Sequence, residues 1–376
     1  MQPEPQPAVE EAPLAQPTEY EPGPPHRDRD FDWVFIGPHG LRVGWSLLLF
    51  AGLYYLFREV VGTLFYAAGL VHDTPADSAG AVLIAELVPF LSLVAAALVM
   101  ILIEDRRILS YNLAGPRRVR SFFAGLAVGF AALSLLVGSL AFGGWMRVAP
   151  AVLTASAAIR LGALWLAAFL VVAAVEEGLF RCYALSTLTR GINFWWALAA
   201  QIVVCLYLAV TGSGNGAWGV YLAAAAGLFP CLILNQKPGA RSAFWQAAWV
   251  TSTFFGFYHT TNSGENWIGI LAAASIGFAF CVSVRVTGSA WWAIGCHAAW
   301  DWAETFFYGT ADSGQQGQGH WLSASPAGNP LWSGGADGPE GSLLVVAVVF
   351  VLIVFLVGFY GRNKSAPFVA PSQSVG

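Results

Sequence analysis

The chain has 376 residues, of which 57% are hydrophobic and only 11% are charged, and its mean hydropathy is +0.61. Soluble globular domains carry about 25% charged residues, so this composition excludes an ordinary soluble protein. It predicts an all-α polytopic membrane protein, a bundle of helices that cross the bilayer. The net charge of −4 gives no reason to expect nucleic acid as a partner.

The N-terminal segment 1–42 is predicted to be a disordered cytoplasmic tail. Its first 30 residues are rich in Pro, Glu and Gln and too polar to bury a core. It also lacks the basic start and short apolar stretch of a cleaved signal peptide. A second short cytoplasmic tail is predicted at 362–376.

Ten apolar stretches follow, each close to the roughly 20 residues that a helix needs to cross the hydrocarbon core. They divide into N-terminal membrane helices within 43–145, a core within 161–308 and a C-terminal helix at 342–361, with an irregular extracytoplasmic loop at 309–341. The predicted spans are 43–70, 81–103, 121–143, 161–183, 193–211, 217–235, 242–260, 265–284, 288–308 and 342–361.

The positive charges of the loops predict how these helices are oriented. The loops on one side of the predicted bundle are rich in positive charge, and those on the other side are poor in it, with Arg147 and Arg160 as the exceptions. The positive residues on the rich side are Arg106, Arg107, Arg117, Arg118, Arg120, Arg190, Lys237, Arg241 and Arg285. Because an excess of Lys and Arg marks the cytoplasmic side, we expect both termini in the cytoplasm and the protein in the cytoplasmic (inner) membrane.

Charged residues in the stretch VVAAVEEGLFRCYAL are the first candidates for a functional site. A charge at bilayer depth costs roughly 2.5–3.5 kcal/mol on insertion scales, so such residues usually face a cavity and have a function. On a helix Glu177 and Arg181 are four residues apart and share one face, while Glu176 points about 100° away. The alternative is a cluster at a helix end whose charges reach water.

Two further apolar stretches contain histidines. In FFGFYH, Phe255 and His259 lie one helical turn apart, and in GCHAAWDW the same spacing joins His297 to Asp301. A carboxylate at that distance can fix the tautomer and orientation of an imidazole. A purely structural histidine remains the alternative at each position.

Together these residues could hydrolyse an amide without a covalent intermediate. A carboxylate with a histidine can hold a water molecule and accept its proton. A second histidine can stabilise the oxyanion that forms on the attacked carbonyl. Glu176 is predicted near the inner end of its span and His259 near the outer end of its own, so tilted or broken helices would be needed to bring them together.

The three motifs EEGLFR, FGFYH and HAAWD resemble the EExxxR, FxxxH and HxxxN/D motifs of the CPBP intramembrane endopeptidases (CAAX protease and bacteriocin-processing, or Abi, family). The run RVTGSAWWAIGCH also resembles the sequence that precedes the family's last motif, and the resemblance covers about residues 161–306. It implies that Glu176 activates water with help from His259, and that Glu177 and Arg181 maintain the site. His297 and Asp301 would stabilise the oxyanion.

The chain departs from the family pattern in two places. The prenyl-protein enzymes have Asn at the position of Asp301, and an ionised Asp would repel an oxyanion, so Asp301 would be protonated, orient His297 or bind a metal. The interval between the first two motifs holds about three helices rather than one, which predicts a two-helix insertion within 193–240.

The resemblance implies a peptide or lipidated-protein substrate in the membrane, of the prenyl or leader-peptide type, with membrane lipids as the surroundings. The favoured mechanism needs no cofactor. In a zinc-dependent version the candidate ligands are Glu176, His259, His297 and Asp301. Two other functions stay open: a proton- or cation-coupled transporter that uses these residues as a relay, and a non-catalytic membrane scaffold or immunity protein.

Overall fold

The structure is a computed structural model that describes residues 32–37, 40–71, 77–150, 153–212, 214–237 and 239–361. The predicted disorder of residues 1–31 and the predicted tail 362–376 lie outside the described residues. The described chain forms an all-α membrane bundle, as the composition predicts.

Ten long helices form the bundle. They are α1 (Val43–Ala67), α2 (Ala79–Glu104), α3 (Arg118–Phe142), α4 (Ala155–Glu177), α5 (Phe194–Thr211), α6 (Ala217–Asn235), α7 (Ala240–His259), α8 (Trp267–Thr287), α9 (Trp291–Trp302) and α10 (Leu343–Phe355). Each coincides with one predicted span. Eight of them are long and apolar enough to cross a membrane, and α7 and α9 are the two that are not. These two carry the histidine motifs, and because the other helices cover them, their own surfaces need not be apolar.

Helix α4 continues beyond the predicted span 161–183. It passes into a π-helical turn at Gly178–Ala184 and ends with a last α-helical turn at Leu185–Leu188. Glu176 therefore lies about 18 Å from the end of this helix, at 1.5 Å per residue. The predicted end was too early, and Glu176 lies well inside the helix rather than near its end. Single π-helical turns occur frequently at functional sites.

A close contact between α3 and α9 fixes the helix that carries His297. A Cβ atom added to Gly125 or Gly129 would collide with the backbone of Trp292 or Cys296. Small residues four apart allow membrane helices to pack backbone to backbone. Helix α9 also packs against α4, and α7 contacts the π turn that continues α4, so α4 adjoins the helices of both other motifs.

The segment 309–341 is more regular than the predicted irregular loop. Strand β4 (Ala311–Asp312) pairs with β5 (Gln315–Gln316), and β6 (Ser323–Pro326) pairs with β3 (Met146–Ala149), both antiparallel. A helical turn at Pro330–Ser333 and a 3-10 turn at Pro339–Gly341 lead into α10, which ends in a π turn at Leu356–Tyr360. The β3 partner comes from the distant α3–α4 connection, so local sequence gives no signal for this pairing.

Within the predicted tail 1–42, disorder is wrong for the described residues from 32 onward. A helical turn at Asp32–Phe35 leads into a small hairpin of β1 (Ile36–Gly37) and β2 (Gly40–Leu41). The indole of Trp45 donates a hydrogen bond of 3.0 Å to the carbonyl of Val34, which ties this segment to α1. The remaining short elements are 3-10 turns at Ile108–Ser110 and Gly214–Gly216 and a π turn at Ala303–Tyr308, which ends α9.

Candidate active site

Glu177 and Arg181 form a fully buried ion pair. Their side chains are 0% exposed, and Glu177 Oε2 lies 3.2 Å from Arg181 Nε. The guanidinium lies over the ring of Phe255, 4.2 Å from its centroid, where a cation–π contact partly replaces water. The alternative in which these charges reach water at a helix end is therefore wrong. A buried pair of this kind holds its neighbours in place rather than exchanging protons with solvent.

His297 lies among three carboxylates. Its Nδ1 atom is 3.0 Å from Glu177 Oε1, and its Nε2 atom is 3.4 Å from Asp301 Oδ2 and 3.8 Å from Glu176 Oε2. Carboxylates only accept hydrogen bonds. Nδ1 of His297 therefore donates the hydrogen bond to Glu177, and Nε2 is the ring nitrogen that faces Asp301 and Glu176.

His259 is held differently. Its Nδ1 atom lies 2.8 Å from the carbonyl oxygen of Phe255. Because a carbonyl oxygen can only accept, Nδ1 carries a proton and donates this hydrogen bond. The same Phe255 ring packs against His259 at 4.7 Å and against His297 at 6.1 Å between centroids.

Four of the six predicted site residues line one cavity of about 390 Å³. They are Glu176, His259, His297 and Asp301. Glu177 and Arg181 do not line the cavity, and Glu177, which pairs with Arg181, orients His297. Cavities of a few hundred Å³ are typical of binding sites for small ligands and peptide side chains. The structure thus brings together residues from α4, α7 and α9 that are distant in sequence.

Several residues of the site carry no signal in the sequence. Phe280 stacks on the imidazole of His297, with 5.7 Å between ring centroids. A Cβ atom at Gly277 would collide with the guanidinium of Arg181, so a glycine there makes room for the ion pair. Glu86 from α2 also lines the cavity. Nothing in its position along the chain connects Glu86 to the three motifs.

The segment 309–341 and the α7–α8 connection bring together several acidic side chains, of which Asp312 and Glu340 line the cavity. Burial, together with the Asp301 and Glu340 carboxylates, raises the pKa of Asp312 well above its ordinary value. Burial raises the pKa of Asp337 to about 7, although a hydrogen bond from the backbone N–H of Asn266 opposes the shift. Burial and the neighbouring Asp337 and Glu340 carboxylates raise the pKa of Glu265 to about 9.

The four candidate zinc ligands do not form a compact ligand set. A tetrahedral zinc ion with ligands at 2.0–2.2 Å needs donor atoms about 3.3–3.6 Å apart. Among the described residues, three or more donor atoms lie within 4.8 Å of one another only at Glu304, Asp312 and Glu340. These carboxylates were not among the predicted ligands.

A family model described as type II CAAX prenyl endopeptidase Rce1-like matches residues 233–303. The predicted family resemblance is confirmed. The matched segment contains α7, α8 and α9 with the FGFYH and HAAWD motifs, and the EEGLFR motif precedes it. No curated protein and no solved structure matches the chain significantly. The match supports a CAAX-type membrane endopeptidase. It begins at residue 233, at the end of α6, so it does not test the predicted insertion of α5 and α6, which stays a prediction.

Proposed function

We propose that this membrane protein is an endopeptidase that hydrolyses a peptide bond of a membrane-associated substrate, of the prenyl or leader-peptide type, with water activated by Glu176. One observation carries the proposal: the two adjacent glutamates have different surroundings. Glu177 is fully buried between Arg181 and His297, whereas Glu176 lines the cavity beside His259 and His297. A carboxylate that faces a cavity can meet both water and substrate.

In the proposed reaction a water molecule in the cavity loses a proton to Glu176 as its oxygen attacks the scissile carbonyl carbon. Nε2 of His259, in the neutral ring, accepts a hydrogen bond from the same water. The carbonyl oxygen becomes an oxyanion, and a protonated His297 donates to it. Glu176 then gives its proton to the amide nitrogen, the C–N bond breaks, and a free amine and a carboxyl group are released.

The test is the change Glu176→Gln, which keeps the shape of the side chain but removes the base. Cleavage by the wild-type protein produces new peptide termini in the membrane fraction. We expect one or more of these termini to be missing from membranes that contain the variant, because the rate of cleavage should be about 10²–10⁴-fold lower. Quantitative proteomics of protein termini measures the loss. Glu59→Gln is the matched control, since Glu59 is exposed on α1 and outside the cavity. Termini identical in both membranes, at equal protein levels, would contradict proteolysis and favour the transporter.

The zinc-dependent version of this site is less favoured because its four donor atoms are not gathered within ligand distance. A bound zinc would polarise the water or the scissile carbonyl. Elemental analysis of the purified protein distinguishes the two versions. We expect less than stoichiometric zinc, and one zinc per chain that is lost in a His259→Ala variant would overturn the metal-free mechanism.

A further inference from the structure

A second group of acidic side chains lies next to the cavity, on three separate segments. Glu304 is in the π turn Ala303–Tyr308 that ends α9, Asp312 is in β4, and Glu340 is in the 3-10 turn before α10. One carboxylate oxygen from each lies within 4.8 Å of the other two. These residues take no part in the proposed hydrolysis.

Glu304 is the residue that requires an explanation. Its side chain is 0% exposed, and neither Oε1 nor Oε2 has a hydrogen-bond partner among the described residues. A buried polar group without a partner costs free energy, and a buried charge without one costs more. One of these two unpartnered oxygens lies within 4.8 Å of a carboxylate oxygen of Asp312 and of Glu340.

The other two carboxylates are held in fixed orientations. Asp312 Oδ2 accepts a hydrogen bond of 3.1 Å from the Thr305 hydroxyl. Glu340 Oε1 accepts one of 2.6 Å from the Trp300 indole, and Oε2 accepts one of 3.1 Å from the Ser313 hydroxyl. A carboxylate has about four acceptor positions, so each group retains lone pairs for a further ligand.

The surroundings add negative rather than positive charge. Asp337, only 1% exposed, and the half-buried Glu265 lie nearby, each with one oxygen that has no hydrogen-bond partner. The segment 309–341 contains no Lys or Arg. A group of carboxylates this close cannot all be ionised without a counter-charge.

We infer that Glu304, Asp312 and Glu340 bind a divalent cation of the calcium class. Calcium takes oxygen ligands at about 2.3–2.6 Å, so two ligand oxygens on one ion lie up to about 5 Å apart, which fits the 4.8 Å group. A set made only of carboxylates favours calcium over zinc or copper, which prefer nitrogen and sulfur.

The cation would connect the end of α9, β4 and the turn before α10. Asp312 and Glu340 also line the cavity, so the bound ion would hold the 309–341 segment against the cavity that contains His297. The inference does not depend on the proposed proteolysis, because binding can be measured without a substrate.

The experiment uses the full-length protein in detergent micelles, treated with a chelator and then titrated with calcium chloride. We expect the Tm to rise by about 5 °C at saturating calcium, as for any ligand that binds only the folded state. Terbium provides a direct probe of the site. Trp300 donates a hydrogen bond to Glu340, so its indole would lie close enough to transfer excitation energy to a terbium ion bound there. We expect terbium luminescence on excitation of tryptophan, and we expect added calcium to displace the terbium and remove it. A wild-type Tm that does not respond to calcium would overturn the inference. It would indicate that protons shared between the three carboxyl groups, rather than a cation, balance their charge.

Two variants locate the site. Glu304→Gln and Asp312→Asn each remove one charged ligand, and each should reduce the calcium affinity at least tenfold. Glu86→Gln is the matched control, because Glu86 is another cavity-lining carboxylate but lies on α2, outside the group; it should keep the full response. Asp312 is only half-buried, so Asp312→Asn can be measured even if Glu304→Gln does not fold. Equal calcium responses in wild type and both variants would overturn the assignment of these ligands.

Discussion

Two neighbouring glutamates show how position on a helix determines chemistry. Glu176 and Glu177 differ by one residue, hence by about 100° around α4. That rotation places Glu177 between Arg181 and His297, where it is fully buried, and leaves Glu176 on the cavity. The i,i+4 spacing predicted the Glu177–Arg181 and His297–Asp301 pairs. The contacts of His297 with Glu176 and Glu177 join two helices, and no spacing predicts them.

Asp301 is the site residue that departs most from the family pattern, and its replacement by Asn is informative. If Asp301 is protonated when it faces the oxyanion, Asp301→Asn keeps a donor at that position. We then expect kcat/KM to stay within about threefold of the wild type, against a loss of about 10²–10³-fold for His297→Ala, which removes an oxyanion donor. Cleavage of the substrate identified from the termini measures both.

A large loss in Asp301→Asn would show instead that an ionised Asp301 orients His297. The two roles also differ in pH dependence. A protonated Asp301 makes the wild-type rate fall as pH rises through its ionisation, and the Asn variant lacks that step. An orienting carboxylate gives no such difference between the two proteins.

The α3–α9 contact determines where the third motif lies. Gly129 faces the backbone of Cys296, one residue before His297, whereas Gly138 on the same helix has open space around its Cα. We expect Gly129→Ala to destabilise the protein by about 1–3 kcal/mol, the usual effect of overpacking, and to reduce cleavage by moving α9. Thermal unfolding in micelles measures the first effect.

Gly138→Ala is the matched control on α3. Alanine favours a helix over glycine by up to about 1 kcal/mol, so this variant should be as stable as the wild type or more stable. Equal stability of the two alanine variants would contradict the close packing of α3 on α9.

The loop charges predict the orientation of the molecule in the membrane, and this prediction can be tested directly. We predict that the 104–120 connection is cytoplasmic and that 309–341 lies on the opposite side. Cysteines introduced at the exposed positions Arg107 and Ser323 should react differently with a membrane-impermeant maleimide applied to intact cells. Ser323→Cys should be labelled, and Arg107→Cys only after permeabilisation.

The chain's own cysteines interfere little with this labelling, because four of the five are buried and only Cys205 is partly accessible. The unsubstituted protein provides the background. If Arg107→Cys were labelled in intact cells and Ser323→Cys were protected, the predicted orientation would be wrong, and both termini would lie outside the cytoplasm.

The sequence alone determined the membrane class, the ten helices and the three motifs. Hydrophobic length and i,i+4 spacing are local properties, and a helix satisfies its backbone hydrogen bonds within its own segment. Only the tertiary structure decided which motif residues meet. The glycine contact of α3 with α9 and the β3–β6 pairing join parts of the chain that are far apart, so no local pattern encodes them. The Glu304 group was missed for the same reason: its three carboxylates look like unrelated loop and helix-end residues until folding brings them within 4.8 Å.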